Sequence, residues 1–86
     1  MPVKMFFIFF GVIKMADLSE RLQYLKETRY LLQRDIASHT GISLRAYRYY
    51  ESGQRRPDTD TLIKLCNYFD VSADYLLGLS DNPKRN

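Results

Sequence analysis

The apolar residues downstream of position 16 recur with the period of an α-helix. Leu18, Leu22 and Leu25 stand at spacings of four and three residues, which predicts a helix over residues 18–29 with these leucines on one face. Glu20 falls in the first turn, where the helix dipole favours an acidic side chain. The leucine face is therefore expected to enter a hydrophobic core.

The same spacing returns later in the chain and predicts a helix over residues 59–69. Its apolar positions repeat at i, i+3, i+4 and i+7 and are Leu62, Leu65, Cys66 and Phe69. A short last helix is expected over residues 73–77, with Val71 filling the turn before it, Ser72 as its N-cap and Gly78 at its end. Residues 80–86 are interpreted as a polar tail.

Between these regions, residues 33–57 are interpreted as two short helices joined by a tight turn. Gly41 supplies the positive φ that a sharp turn requires, and Ile42 follows as a buried plug. Ser43 is placed to cap the second helix of the pair, because its hydroxyl can accept a bond from an N–H group of the first turn. Gly53 is expected to end that helix.

The second of these two helices has an inner and an outer side. Tyr47 and Tyr50 stand three residues apart and are expected in the core rather than as base readers. The side chains expected on the outer side are Leu44, Arg45, Arg48 and Tyr49. Arginine is suited to paired bonds with guanine O6 and N7 or with phosphates, tyrosine can bond a base edge or a phosphate, and leucine can contact only a thymine methyl.

The order and spacing of these residues resemble the helix-turn-helix of the Cro and phage-repressor family, also called lambda-repressor-like domains. The residues that carry the resemblance are Gln33, Ile36, Ala37, Gly41, Ile42, Ser43, Tyr47, Tyr50, Glu51, Gly53 and Pro57. The likeness extends over about residues 18–78. It implies a compact all-α domain of five helices, with the helix-turn-helix at helices 2 and 3, that binds double-stranded DNA as a small transcriptional regulator of the repressor type.

The resemblance also implies roles for individual residues. The outer side of the recognition helix, residues 44–52, is expected to read bases in the major groove. Residues expected to contact the sugar-phosphate backbone are Gln33, Arg34, Ser43, Arg55 and Arg56. Glu51 is expected to turn inward and pair with Lys26. The family usually has a hydroxyl or amide N-cap where this chain has Leu32, which is expected to weaken the start of the second helix.

Charge is unevenly distributed along the chain, although the formal net charge is only +3. Residues 29–56 contain six arginines and two acids, a net charge of +4. Residues 57–83 contain one lysine and five aspartates, a net charge of −4. An ordinary solvated surface mixes the two signs, so the basic half favours a nucleic-acid partner, although Arg29 and Arg34 can also be read as merely solvated.

Composition narrows the class of protein. A chain of 86 residues is long enough for one small domain, and 45% hydrophobic residues are typical of a globular fold. One cysteine, Cys66, excludes an internal disulfide, and with the single His39 it leaves no structural zinc set. Since phosphate-binding loops and catalytic pairs are also missing from the sequence, we expect no enzyme, no cofactor and no small-molecule ligand. A chain without an internal disulfide fits a reducing compartment, so we expect a cytoplasmic location.

The first fifteen residues are apolar and contain four of the five phenylalanines. Three interpretations stay open for residues 1–15: an appendage upstream of a start at Met15, a segment that packs on the domain or on a partner subunit, and a shallow membrane attachment. Because the apolar segment could contact a partner protein, one alternative to DNA binding stays open: an antitoxin-like or accessory protein whose main role is to bind another protein. The domain proper is predicted over residues 16–79, and it is expected to act as a homodimer, because one recognition helix reads only a few base pairs.

Overall fold

The computed structural model describes residues 17–85, so the predicted N-terminal appendage lies outside the described residues. Five α-helices follow one another in this range, and no strand occurs in it. Their bounds are α1 Leu18–Thr28, α2 Gln33–Thr40, α3 Leu44–Ser52, α4 Thr59–Phe69 and α5 Ala73–Leu76. The prediction of an all-α fold with five helices is therefore confirmed. Two bounds differ from the prediction by one residue, since α1 stops before Arg29 and α5 stops before Leu77.

Side-chain caps fix the start of four of the five helices. Asp17 forms a capping box on α1, in which its carboxylate accepts from the N–H of Glu20 while the Glu20 side chain accepts from the N–H of Asp17. Ser43, Asp58 and Ser72 cap α3, α4 and α5 in the simpler way, each accepting one N–H three residues ahead. The start of α2 has no side-chain cap, as the leucine before it predicts.

The core forms where the five helices meet. The helix α1 packs against α3 and α5, α2 packs against α3 and α4, and α4 packs against α5. The predicted leucine face of α1 is buried. On α4, Leu65, Cys66 and Phe69 are buried, while Leu62 is half-buried and packs against the core. Tyr47 and Phe69 are the largest side chains that are fully buried in the described part of the chain. Burial also raises the pKa of the Cys66 thiol, which fits its predicted role as a small core residue.

Residues 80–85 lie against the helices. The carbonyl of Pro83 accepts a hydrogen bond from the N–H of Ser72 at 3.0 Å. Arg21 of α1 bonds the Asp81 carboxylate at 2.8 Å, and Arg85 donates to the Asn67 side chain at 2.7 Å. This segment, predicted as a polar tail, is therefore held at both of its ends by α1 and α4.

Candidate nucleic-acid interface

The connection between α2 and α3 has the geometry that its sequence predicts. Gly41 ends α2 with φ at 76°, in the left-handed region that glycine adopts without steric cost. Ile42, which was predicted to be buried, is half-buried; it packs against the core and donates its N–H to the Ala37 carbonyl at 3.0 Å. The Ser43 hydroxyl accepts from the N–H of Ala46 at 3.0 Å, so the predicted N-cap is confirmed. These contacts fix the direction in which α3 leaves the turn.

The inner side of α3 is held by a buried carboxylate. Glu51 is 7% exposed, and its Oε1 accepts from Lys26 Nζ of α1 and from Gln33 Nε2 of α2, each at 2.9 Å. Its Oε2 accepts from the hydroxyl of Tyr47, also at 2.9 Å. The expected pair between Glu51 and Lys26 is therefore present, and Glu51 joins α1, α2 and α3 at one point. Burial and the adjacent carboxylate both raise the pKa of Tyr47.

The outer side of α3 presents Arg45 and Arg48 to solvent, and both side chains are exposed. Tyr49 lies on the same side and is half-buried. The prediction that Leu44 projects outward is wrong in part, because Leu44 is half-buried and packs against the core. As the first residue of α3, it has a side chain that leans back toward the preceding turn, which brings it onto the apolar side of the domain.

Tyr49 contacts two guanidinium groups. The Tyr49 hydroxyl accepts from Arg45 Nε at 3.2 Å, and the Arg45 Cζ lies 5.7 Å from the centre of the ring. The Cζ of Arg55, from the loop after α3, lies 4.8 Å from the same centre. Cation–π attraction operates at these distances, so one ring contacts two of the predicted DNA-binding arginines. The contact with Arg45 follows from their i, i+4 spacing, whereas the chain pattern gives no signal for the contact with Arg55.

Gln33 links the buried carboxylate to the outer face. Its Nε2 donates to Glu51, and its Oε1 accepts from Arg48 Nε at 3.2 Å. An ionised carboxylate only accepts hydrogen bonds, and a guanidinium only donates them. The Gln33 amide therefore turns its nitrogen toward Glu51 and its oxygen toward Arg48. Sequence reasoning did not anticipate this role, because Gln33 and Arg48 are 15 residues apart on different helices.

The remaining predicted backbone contacts are exposed around α3. Arg34 lies in the first turn of α2, and Arg55 and Arg56 lie in the loop between α3 and α4. Gly53 ends α3 with φ at 83° and so starts this loop in the predicted way. Arg29 has a different role, since its guanidinium donates to the Phe69 carbonyl at 2.6 Å and thereby joins the end of α1 to α4.

Comparison with known proteins decides the family. The model of the helix-turn-helix family matches residues 22–76, more than half of the chain. The chain belongs to the helix-turn-helix family. This match, together with relatives that include phage repressors, confirms the predicted resemblance to phage-type repressors.

Two relatives and one solved structure show what this helix-turn-helix chain is similar to. An uncharacterized HTH-type transcriptional regulator of Bacillus subtilis, YqaE, is 44% identical over 66 residues, which cover 77% of this chain and 57% of the relative. The cryptic phage CTXphi transcriptional repressor RstR of Vibrio cholerae is 34% identical over 61 residues, 71% of this chain and 54% of the relative. The solution structure of the DNA-binding domain of the P22 C2 repressor aligns with a TM-score of 0.73 at 23% identity, over 86% of this chain and 96% of that domain, and so supports the fold alone.

The chain spans about half the length of the curated relatives it matches. Both relatives are named as transcriptional regulators, and transcriptional regulators are not enzymes. Within residues 17–85 of the helix-turn-helix chain, no group of three or more His, Cys, Asp or Glu residues is arranged to hold a metal ion. None of the helices described in that range is long and apolar enough to cross a membrane.

Proposed function

We propose that this chain binds double-stranded DNA sequence-specifically and acts as a small transcriptional regulator of the repressor type, with α3 in the major groove. The observation that carries the proposal is the outer face of α3, where Arg45 and Arg48 are exposed while the opposite side is fixed by Glu51. A helix about 10–12 Å across fits the major groove of B-DNA. The repressor named among the relatives supports the sign of regulation.

Base reading is assigned to the outer side of α3. Arg45 and Arg48 carry planar guanidinium groups that match guanine O6 and N7 with two parallel bonds. Leu44 is half-buried, so only its outer edge is available for contact with a thymine methyl. Tyr49 was predicted as a fourth base reader, and its ring lies on the same face beside Arg45.

Backbone contacts are assigned to residues around the two ends of α2 and α3. Arg34, Arg55 and Arg56 are exposed cations suited to phosphates. The start of α2 has no side-chain cap, so its first N–H groups and the second N–H of the Gln33 amide can donate to a phosphate oxygen. Ser43 accepts the cap bond through its hydroxyl oxygen, and its O–H stays able to donate.

A homodimer completes the proposal. One α3 reads only a few base pairs, and two-fold pairing places a second α3 about 34 Å along the duplex, in the next major groove on the same side. By the family resemblance, α5 and the loop before α4 are the surfaces expected to pair. A cytoplasmic location is proposed with this function, because its ligand is the DNA of the cell.

Selection of random duplexes by the purified protein tests the proposal. We expect enrichment of one sequence, and we expect its affinity to fall with salt by a log-log slope of several units, since each phosphate contact contributes about −0.9. No enrichment, together with a shallow salt dependence, would favour the alternative of a module that binds a partner protein.

Two matched arginine variants then test the assignment of the face. Arg45→Ala is expected to lose discrimination at one or two base pairs at a cost of about 1–3 kcal/mol, whereas Arg56→Ala is expected to weaken binding to all sequences alike. Fluorescence anisotropy with the selected duplex and with single-base variants measures both effects. Unchanged affinity in both variants would refute the assignment.

A further inference from the structure

We propose that Tyr49 is a positioning residue, which orients Arg45 for base reading and Arg55 for phosphate contact and does not itself read a base. The inference rests on the proposed function and assigns one residue within it. Its basis is the arrangement of two guanidinium groups on one half-buried ring, through a hydrogen bond to the first and a cation–π contact to the second. Since Tyr49 is engaged by these two contacts, it contributes to specificity by orienting Arg45 and Arg55.

The bond to Arg45 selects how that arginine meets a base. A guanidinium can present either its two terminal nitrogens or one terminal nitrogen together with Nε. In the structure the Arg45 Nε donates to the Tyr49 hydroxyl at 3.2 Å. The two terminal nitrogens are then the pair directed at guanine O6 and N7, which is the geometry of a bidentate contact.

The contact with Arg55 attaches the following loop to the same residue. The Arg55 Cζ lies 4.8 Å from the ring centre of Tyr49. The backbone adds to this contact, because the Tyr49 carbonyl accepts from the N–H groups of Gln54 and Arg55 at 3.0 and 3.3 Å. A guanidinium attracted to a ring through its face keeps the N–H groups at its edge able to donate, so Arg55 can still bind a phosphate in this position.

The physical benefit of this arrangement is order before binding. Exposed arginines lose side-chain entropy when DNA immobilises them, and a side chain already held in one orientation loses less. Because a single ring holds both arginines, the base read by Arg45 and the phosphate bound by Arg55 are kept in a fixed register. Disturbing the ring is therefore expected to affect both contacts, whereas removing only its hydroxyl affects one.

Two substitutions separate these contributions. Tyr49→Phe keeps the ring and removes the hydroxyl, so it is expected to lower the preference for the selected base at the Arg45 position by about 3- to 10-fold and to leave the salt slope unchanged. Tyr49→Leu removes the ring as well, so it is also expected to reduce the salt slope by about one phosphate contact. The Arg45 position is the base pair at which Arg45→Ala loses its preference.

Binding is measured by anisotropy with the duplex selected by the wild-type chain, its single-base variants and a salt series. Arg34→Ala is the matched control, because Arg34 is an exposed arginine on α2 and is expected to change the salt slope without changing the base preference. The double variant Tyr49→Leu, Arg55→Ala is expected to bind about as weakly as the weaker single variant, since both remove the same contact. Thermal unfolding of each variant verifies that binding is compared between folded proteins.

Two results would overturn the inference. The first is a Tyr49→Phe variant with undiminished preference at the Arg45 position. The second is a loss of preference at a base pair that Arg45→Ala leaves unaffected, which would make Tyr49 a base reader. Failure of the wild-type chain to select any duplex would be a different outcome, because it would overturn the proposed function and this inference together.

Discussion

Replacing Tyr47 by phenylalanine removes one hydroxyl from the centre of the domain and leaves the ring in place. Tyr47 is 0% exposed, and its hydroxyl donates to Glu51 Oε2 at 2.9 Å. The other two donors to this carboxylate, Lys26 Nζ and Gln33 Nε2, both bind Oε1. The substitution therefore leaves Oε2 without the donor that it has among the described residues.

The expected cost follows from the type of bond. A hydrogen bond to a charged group contributes about 1.5–3 kcal/mol net, and a buried acceptor left unpaired costs a similar amount to its lost bond. Phenylalanine is easier to bury than tyrosine, which offsets a part of the loss. We expect the free energy of unfolding to fall by about 2 kcal/mol, which lowers Tm by about 8–16 °C in a domain of this size.

Urea denaturation and differential scanning calorimetry at neutral pH measure this loss. Tyr50→Phe is the matched control, because Tyr50 is a half-buried tyrosine on the same helix, and the change in its free energy of unfolding is expected to stay within about 0.5 kcal/mol. A Tyr47→Phe variant that is as stable as Tyr50→Phe would refute the reasoning, since it would mean that water or another donor satisfies the carboxylate.

The raised pKa of Tyr47 also predicts that the domain loses stability at alkaline pH. Burial first, and the Glu51 carboxylate second, raise the pKa of Tyr47 above that of an unfolded tyrosine. The protonated form is thus favoured by folding, so the stabilising contribution is complete below about pH 10 and is lost as the pH rises beyond it. Stability curves between about pH 9 and 11.5 should fall less steeply for Tyr47→Phe than for the wild type or Tyr50→Phe. The raised pKa of Cys66 adds an alkaline loss that starts from about pH 8.5 and persists in all three proteins.

Three further predictions address the turn, a cap and the thiol. Gly41→Ala should lower the free energy of unfolding by about 1 kcal/mol, because the backbone has a φ of 76°, although the added Cβ meets no atom within 4 Å. Gly41→Asn should lower it less, because asparagine tolerates this conformation better, and urea denaturation measures both variants. The hydrogen bond from the N–H of Thr61 is the main cause that lowers the pKa of Asp58, so the stabilising contribution of the Asp58 carboxylate is present above about pH 4 and is lost as the pH falls further. Asp58→Ala should lower Tm at neutral pH, with a difference from the wild type that shrinks as the pH falls below about 4. Cys66 is 4% exposed and should react with a thiol reagent only as fast as the domain opens, which a urea series of labelling rates measures.

Local pattern was sufficient to predict most of the fold. The leucine spacing of α1 and the apolar repeat of α4 predicted both helices to within a residue, because each helix buries one continuous face. Gly41 and Ser43 predicted the turn, since few residues suit a left-handed backbone or an N-cap. The pair between Glu51 and Lys26 came from the family resemblance, and no rule of spacing would have found it.

Features that depend on packing between distant parts of the chain were not predicted. The bond from Arg48 to Gln33 requires two helices at a particular angle, and the bond from Arg21 to Asp81 joins positions 60 residues apart. Leu44 was misplaced for a related reason: a helical wheel assigns it to the outer side, but at the first position of α3 its side chain also meets the core. The base-reading and backbone roles of individual residues stay predictions.

Hydrogen bonds connect the buried Glu51 carboxylate to the outer face of α3, so we expect Glu51 to affect the proposed DNA recognition although its side chain is buried. The Gln33 amide donates to Glu51 through its nitrogen and accepts from Arg48 through its oxygen, so the position of Glu51 affects the orientation of the amide that Arg48 meets. Lys26 of α1, a helix outside the helix-turn-helix, forms a salt bridge with the same Glu51 carboxylate. A change at Glu51 removes the acceptor that orients Gln33, so we expect it to disturb the contact with Arg48 as well as the core, and we expect stability and DNA specificity to vary together in this network.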